Sequence, residues 1–232
     1  MNSETERLAK GQTPDDAGPG EGRYNQLTVA SYEHCAIDYA LSTAPKSQNG
    51  ERPLLQRLLD AMHGSKTVLE IGSGPGWEAD WLEVAGLSVR RTDATEAFLA
   101  FQRQRGKAAE HLDIVRDPVP GTYDAILALY VFQHIDRQAL PAVLGKVAVA
   151  IRPGGLLLFS ILEGEGEEIE NGSDGGQYYT ARWRQDALEH LLATMGLQLS
   201  WFSISEDSEG RWLTLLFRRP APGHSGRTSA SP

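Results

Sequence analysis

Cysteine is almost missing from this chain: a single residue, Cys35, in 232. A lone thiol excludes an intramolecular disulfide framework and any zinc site built on clustered cysteines, and it fits a reducing, cytoplasmic setting. No apolar run approaches the roughly 18 residues that a membrane-spanning helix needs. The opening "MNSETERLAKGQTPDDAGPGEG" has neither an apolar core nor a basic flank, so it does not read as a signal peptide. Positive charge is scarce as well: 22 Lys and Arg stand against 31 Asp and Glu, a net charge of −9. That balance repels a phosphate backbone, and no basic patch offsets it, so neither nucleic acid nor a membrane is an expected partner. Internal repeats are absent. What remains, 41% apolar and 23% charged residues, is the composition of an ordinary soluble domain with ragged ends.

Residues 1–22 and 220–232 are rich in Gly, Pro, Ser and charge, and read as disordered tails around a domain at 23–219. Inside it the pattern alternates. "KTVLEIG" reads as a strand and is followed by a helix over about 76–85. "LSVRRTD" reads as a second strand, with a helix through "ATEAFLAFQRQRG". A short third strand is expected at "EHLDIV", and a long buried strand at "YDAILALYVF". "RQALPAVLGKVAVAI" is helical with Pro141 in its first turn, "RPGG" is a turn, and "LLLFSIL" is another buried strand. A helix at "RQDALEHLLATMG" ends at Gly196, and "LQLSWFSIS" and "GRWLTLLFRR" form a closing hairpin around "EDSEG". The expected fold class is α/β: a doubly wound, mostly parallel, seven-stranded Rossmann-like sheet with an antiparallel last strand and N-terminal cap helices.

The most informative stretch is "VLEIGSGPGWEADWLE", residues 68–83. An acid closes the strand, glycines follow at 72, 74 and 76, and an amphipathic segment begins. Glycines there let the backbone turn tightly and approach a ligand, and the helix N-terminus behind them favours an anion. A dinucleotide site wants G-x-G-x-x-G, whereas here the third glycine comes one residue early. "VLEIGSGPG" resembles motif I of the class I S-adenosylmethionine-dependent methyltransferases, and other motifs of that family follow in order. Asp93 in "VRRTDAT" stands where the family carries the acid that holds the ribose hydroxyls. "HLDI" resembles the segment along the adenine, with Asp113 placed to accept from its exocyclic amine. "YDAILALYVFQHI" and "IRPGGLLLFSI" resemble the fourth and fifth strands with their turns. The resemblance covers residues 65–162, and more loosely the remainder.

The resemblance implies S-adenosyl-L-methionine as cofactor, with S-adenosyl-L-homocysteine as product. It implies a cofactor site of Glu70, Gly72, Ser73, Gly74, Gly76, Asp93, Ala94, Asp113, Ile114 and Leu129. His134, at the turn after the longest strand, is the candidate general base, since imidazole titrates nearest neutral pH; alternatively it only orders that turn. Phe98 and Leu99 read as packing residues. Acceptor contacts are expected from additions to the core. Tyr24, Tyr32 and Tyr39 lie in an N-terminal cap at 23–63, the last two on one helical face. Tyr130 follows the fourth strand, and Tyr178, Tyr179 and Trp183 lie in an acidic flap at 163–183. The expected function is methyl transfer to a small aromatic or heteroaromatic molecule by a monomer or homodimer, with no metal. Two alternatives stand beside it: a nicotinamide-linked oxidoreductase, which lacks a Tyr-x-x-x-Lys motif here, and an inactive cofactor-binding scaffold.

Overall fold

A computed structural model describes residues 23–49, 51–62, 64 and 67–221. The expected tails at 1–22 and 220–232 therefore lie outside the described residues, apart from Pro220 and Ala221. Helices α1 (Arg23–Asn49) and α2 (Arg52–Ala61) precede β1 (Thr67–Ile71), α3 (Trp77–Val84), β2 (Ser88–Asp93), α4 (Glu96–Gln104), β3 (Ala109–His111) and β4 (Tyr123–Ala128). Then come α5 (Leu140–Ala150), β5 (Ile151–Leu162), β6 (Glu167–Asn171), β7 (Gln177–Ala181), α6 (Gln185–Thr194), β8 (Gln198–Asp207) and β9 (Gly210–Arg218).

Seven strands form one sheet in the order β3-β2-β1-β4-β5-β9-β8. The first five run parallel, while β9 is antiparallel to both β5 and β8. The last strand of the chain is thus antiparallel, as expected, and sits one place in, with β8 at the edge. Central strands are apolar on both faces because both faces are covered. On one side Val68, Ala125, Leu127 and Leu158 pack with Leu55 and Leu58 of α2 and Leu82 of α3. On the other, Leu69, Ile126, Leu157 and Phe159 pack with α5 and α6 through Leu144, Val147, Leu188 and Leu192. Strand order reverses between β1 and β4, so the crevice of the fold opens beyond their C-terminal ends.

Three expectations about the chain path change. "RPGG", expected as a turn, lies inside β5, which starts at Ile151. The apolar run "YDAILALYVF" does not stay in the sheet: β4 ends at Ala128, and Tyr130 takes φ +60°, a left-handed conformation unusual for a non-glycine residue. The Tyr130 amide donates to Ser160 Oγ at 2.8 Å, and a 3-10 turn over Phe132–His134 follows. A fully apolar run has no period that marks where the strand stops. The segment at 163–183 contains a second, two-stranded sheet, β6 paired antiparallel with β7, rather than a loop.

That hairpin is stitched to α1. The Gln177 amide donates to Ser31 Oγ at 2.8 Å, and the Tyr179 amide to Thr28 Oγ1 at 3.0 Å. Tyr179 is 2% exposed, stacks on Tyr24 at 4.8 Å, donates its hydroxyl to Glu167 at 2.6 Å and accepts from the Arg137 amide at 3.0 Å. Glu33 of α1 in turn accepts from the first amides of α4, Glu96 at 2.6 Å and Ala97 at 2.9 Å, a capping interaction supplied from another element. Removing the Tyr179 hydroxyl leaves the Arg137 amide without its acceptor. Tyr179→Phe should therefore cost about 1–3 kcal/mol and raise amide exchange in β6 and β7 before the main sheet. Unchanged exchange in the hairpin would show that the ring stack alone anchors it.

Candidate active site

The crevice holds a cavity of about 890 Å³, walled by α1, the β1–α3 loop, the ends of β2 and β4, the β6–β7 hairpin and the β8–β9 turn. Its floor is the glycine loop. Gly72 has φ +65°, and a Cβ there would lie 2.4 Å from Val131 Cγ2, so loop and post-β4 turn touch only because the position is glycine. Gly76 has φ +83°, and its Cβ would meet Gln102 Oε1 at 2.5 Å and Arg91 Nη1 at 2.6 Å. Its need for glycine comes from packing behind the loop, and Gly76, expected as a ligand contact, is not among the residues that line the cavity.

The rear of the loop is held by polar groups. Arg91 donates to the Gly76 carbonyl at 3.2 Å, and pairs with Asp80 at 2.7 Å and Glu83 at 2.8 Å. Gln102 donates to Ser73 Oγ and to the Gly74 carbonyl, both at 2.8 Å. From β2, Asp93 accepts from the Gly74 amide at 2.7 Å and the Thr95 amide at 2.8 Å, so one carboxylate joins loop and α4. Burial raises its pKa, against the pull of those two amides.

Glu70 ends β1 at 3% exposure, and its Oε2 has no partner. Burial first, and then Glu78, push its carboxyl well above the usual carboxylate range. Glu78, also on the cavity wall, is raised to about 7 by burial, with Glu51 and Asp80 adding repulsion. His134 is half-buried and its pKa is lowered, because desolvation outweighs the bond to Tyr179. Its Nδ1 faces the Tyr179 carbonyl at 2.7 Å, so the proton of the neutral ring sits on Nδ1 and Nε2 keeps the lone pair, 3.2 Å from the Gln133 amide nitrogen.

Glu70, Gly72, Ser73, Gly74, Asp93, Ala94, Ile114 and Leu129 meet in the cavity wall, as do His134, Tyr32, Tyr39, Tyr130 and Tyr178. Phe98 lines it too and meets Tyr32 and Tyr39 ring to ring, so it does more than pack its own helix. Four other expected residues lie elsewhere. Asp113 turns its carboxylate onto its own loop, accepting from the Val115 amide at 3.0 Å and pairing with Arg116, while Leu112 and Ile114 form the wall. Tyr24 and Tyr179 stack on each other beneath the hairpin, and Trp183 is covered by the Arg137 guanidinium at 4.2 Å. These three aromatics anchor the hairpin; they do not face the cavity. Glu51, Glu78, Gln133, Asp207, Glu209 and Trp212 line it without having been singled out in the sequence. Trp212 had one available signal: an antiparallel last strand must begin at the C-terminal edge of the parallel strands, beside the crevice.

A family model described as a methyltransferase domain matches residues 46–204, more than half of the chain. The chain belongs to that methyltransferase family. Among curated methyltransferases, it is 29% identical over 140 residues to malonyl-[acyl-carrier protein] O-methyltransferase of Serratia marcescens, covering 59% of this chain and 53% of that one. Ubiquinone biosynthesis O-methyltransferase of Bordetella bronchiseptica is 30% identical over 105 residues, 42% of this chain and 43% of that one. The match thus spans about half the length of the curated relatives. In fold, the chain is similar to the 1,6-didemethyltoxoflavin-N1-methyltransferase of Burkholderia thailandensis, solved with 1,6-didemethyltoxoflavin and S-adenosylhomocysteine. The TM-score is 0.67 at 16% identity, covering 91% of this chain and 97% of that one. The sheet is that of the class I S-adenosylmethionine-dependent methyltransferases. Among the described residues no helix is long and apolar enough to cross a membrane.

The acids of this methyltransferase pocket make a pH prediction. A carboxyl whose folded pKa is raised contributes stability that is complete below its ordinary value of 4.5 and is lost as pH rises through the folded value, about 7 for Glu78. Ligand-free protein should therefore lose thermal stability as pH rises from about 4.5 to about 7, and Glu78→Gln should flatten that slope. A variant with the wild-type slope would locate the titrating group elsewhere.

Proposed function

We propose that the protein transfers the methyl group of S-adenosylmethionine to a small planar molecule, aromatic or heteroaromatic. The observation that carries this reading is the glycine loop closed onto Asp93 at the floor of a cavity walled by aromatic rings, in a chain of the methyltransferase family. The residues fit the cofactor. The unpartnered Glu70 Oε2 is an acceptor for an ammonium, and a Cβ on Gly74 would meet nothing within 4 Å, so the loop leaves room above itself. Ala94, Ile114 and Leu129 would bound the nucleoside, with Asp93 beside the ribose. When bound, the cofactor supplies an electrophilic sulfonium methyl group.

The chain's own tasks are alignment, exclusion of water and management of one proton. Tyr32, Tyr39 and Phe98 form an aromatic wall by edge contacts at 5.4–5.7 Å, suited to a flat acceptor. The hairpin at 163–183, with Tyr178 facing the cavity, would serve as the acceptor flap. His134 is our candidate for taking the acceptor's proton at Nε2, because burial keeps the ring neutral and Tyr179 fixes its tautomer.

Two measurements test this. S-adenosylhomocysteine should raise the melting temperature while NAD should not, and Asp93→Ala should weaken S-adenosylhomocysteine binding by about 1.5–3 kcal/mol in calorimetry. Response to NAD alone would favour the oxidoreductase reading. For the base, His134→Gln should lower turnover by roughly 10²- to 10⁴-fold, keep S-adenosylhomocysteine affinity and abolish the acid limb of the pH–rate profile. Wild-type protein should show that limb below the ordinary imidazole value of 6.5. A variant keeping more than about a tenth of the turnover, with its acid limb in place, would end the general-base assignment.

A further inference from the structure

The cavity carries more negative charge than the methyl donor calls for. The donor brings a sulfonium and an ammonium against one carboxylate, a single net positive charge, and Glu70, Glu78 and Asp93 already line the glycine-loop side. Four more carboxylates, Asp38, Glu51, Asp174 and Asp207, line the remainder, and no described lysine or arginine does. Glu170 and Glu209 also line it, but Glu170 has Arg182 4.0 Å away and Glu209 has an interaction of its own. Resting on the proposed methyl transfer, we propose that the acceptor is an organic cation, an amine-bearing molecule anchored by these carboxylates and the rings beside them.

The acids are interleaved with aromatic rings on two walls. On one, Glu51 accepts from the Tyr130 hydroxyl at 3.3 Å, Tyr130 meets Trp212 edge-on at 4.8 Å, and the Trp212 indole N–H donates to Asp207 at 3.1 Å. Glu209 follows on the β8–β9 turn, and its charge reaches across to raise Tyr32 and Tyr39, although burial is the larger cause for both. On the other wall Tyr178 donates to Asp174 and lies 5.1 Å from Tyr32. Ring faces and carboxylates both attract an ammonium or guanidinium and both disfavour an anion.

Unpartnered atoms point the same way. Gln133 lines the cavity at 2% exposure, and its Oε1 has no partner. Its orientation is dictated by His134: with the proton on Nδ1, the ring's Nε2 must face the Gln133 amide N–H₂, which leaves Oε1 as the unsatisfied end. Apart from Glu70 Oε2, assigned above to the donor's ammonium, the buried wall atoms without a partner are Glu51 Oε2 and Gln133 Oε1, two acceptors, against one donor, Trp77 Nε1. A ligand that completes this wall must chiefly donate hydrogen bonds. Among the described residues no His, Cys, Asp and Glu side chains gather as a metal ligand set. An ammonium has no lone pair. The held cationic group is therefore the anchor, and methyl goes to another atom or to an amine already deprotonated by water.

Matched pairs test the proposal: phenethylamine with phenylpropionate, tryptamine with indolepropionate, and histamine with imidazolepropionate. Each is titrated by calorimetry into protein saturated with S-adenosylhomocysteine, at low and physiological salt. The amine of at least one pair should bind roughly tenfold or more tightly than its carboxylate partner, with a preference that shrinks as salt rises. The double variant Asp38→Asn, Glu51→Gln should lose most of that preference and keep S-adenosylhomocysteine affinity. Asp38→Asn alone, on an exposed face of α1, serves if the double variant does not fold. The proposal is overturned if no amine binds better than its partner, or if the preference survives in the variants. Wild-type protein that fails to bind S-adenosylhomocysteine would instead remove the proposed methyl transfer, and this inference with it.

Discussion

A guanidinium sealed behind the glycine loop sets the geometry of everything in front of it. Arg91 is 2% exposed, points from β2 toward the start of α3, and holds a loop carbonyl and two α3 carboxylates at once. Burial works against its charge, but the hydrogen bonds it donates to Asp80 and Glu83 more than compensate and raise its pKa. Burial likewise pushes Asp80 up, and the bonds from Arg91, Arg105 and Lys107 outweigh it and hold its carboxyl below the usual range. Breaking such a pair from one side costs about 3–5 kcal/mol, because an uncompensated charge stays behind. The direction of α3, the position of Gly76 and the opening above Gly74 all follow from that cluster. Asp93, two residues further along the same strand, ties the loop to the start of α4 through the Gly74 and Thr95 amides.

The cavity in front is an electrostatic counterpart of the cluster behind. Behind the loop each acid has a basic neighbour, and the carboxyls of Asp80 and Glu83 are held low. In front, acids face one another across an open space, and Glu70 and Glu78 are pushed up. The first arrangement is self-sufficient. The second is stable at neutral pH only with protons shared among its carboxyls or with positive charge brought from outside, which is a requirement on ligands rather than on the fold.

Much of this was legible in the sequence. The alternation of apolar strands and amphipathic helices carries the sheet, and the acid followed by alternate glycines carries the loop, because both are local patterns. Long-range effects were not legible. Asp113 and Asp117 sit in one short stretch, and nothing in their spacing shows that Asp113 caps its own turn. Tyr178 and Tyr179 alternate across β7, so one faces the cavity and the other the protein, yet period-two sorting needs a recognised strand, and the glycines and acids of 163–177 disguise it. Gln102 and Gln133 gave no signal, since a glutamine becomes structural only through partners far along the chain.

The place of β9 has a consequence for how the molecule comes into being. In a sheet ordered 3-2-1-4-5-9-8, the strand made last lies between two made earlier, with β5 on one flank and β8 on the other. A nascent chain can pair β1 to β5 as they emerge, but β8 has no neighbour until β9 leaves the ribosome. Until then β5 presents a bare apolar edge, the situation most exposed to wrong pairing. Trp212 and the turn bearing Glu209 arrive with that strand, so the cavity acquires its last wall at the moment the sheet is sealed. An incomplete chain would carry the glycine loop without the wall opposite, and the order of synthesis thus delays a finished site until the fold that supports it is complete.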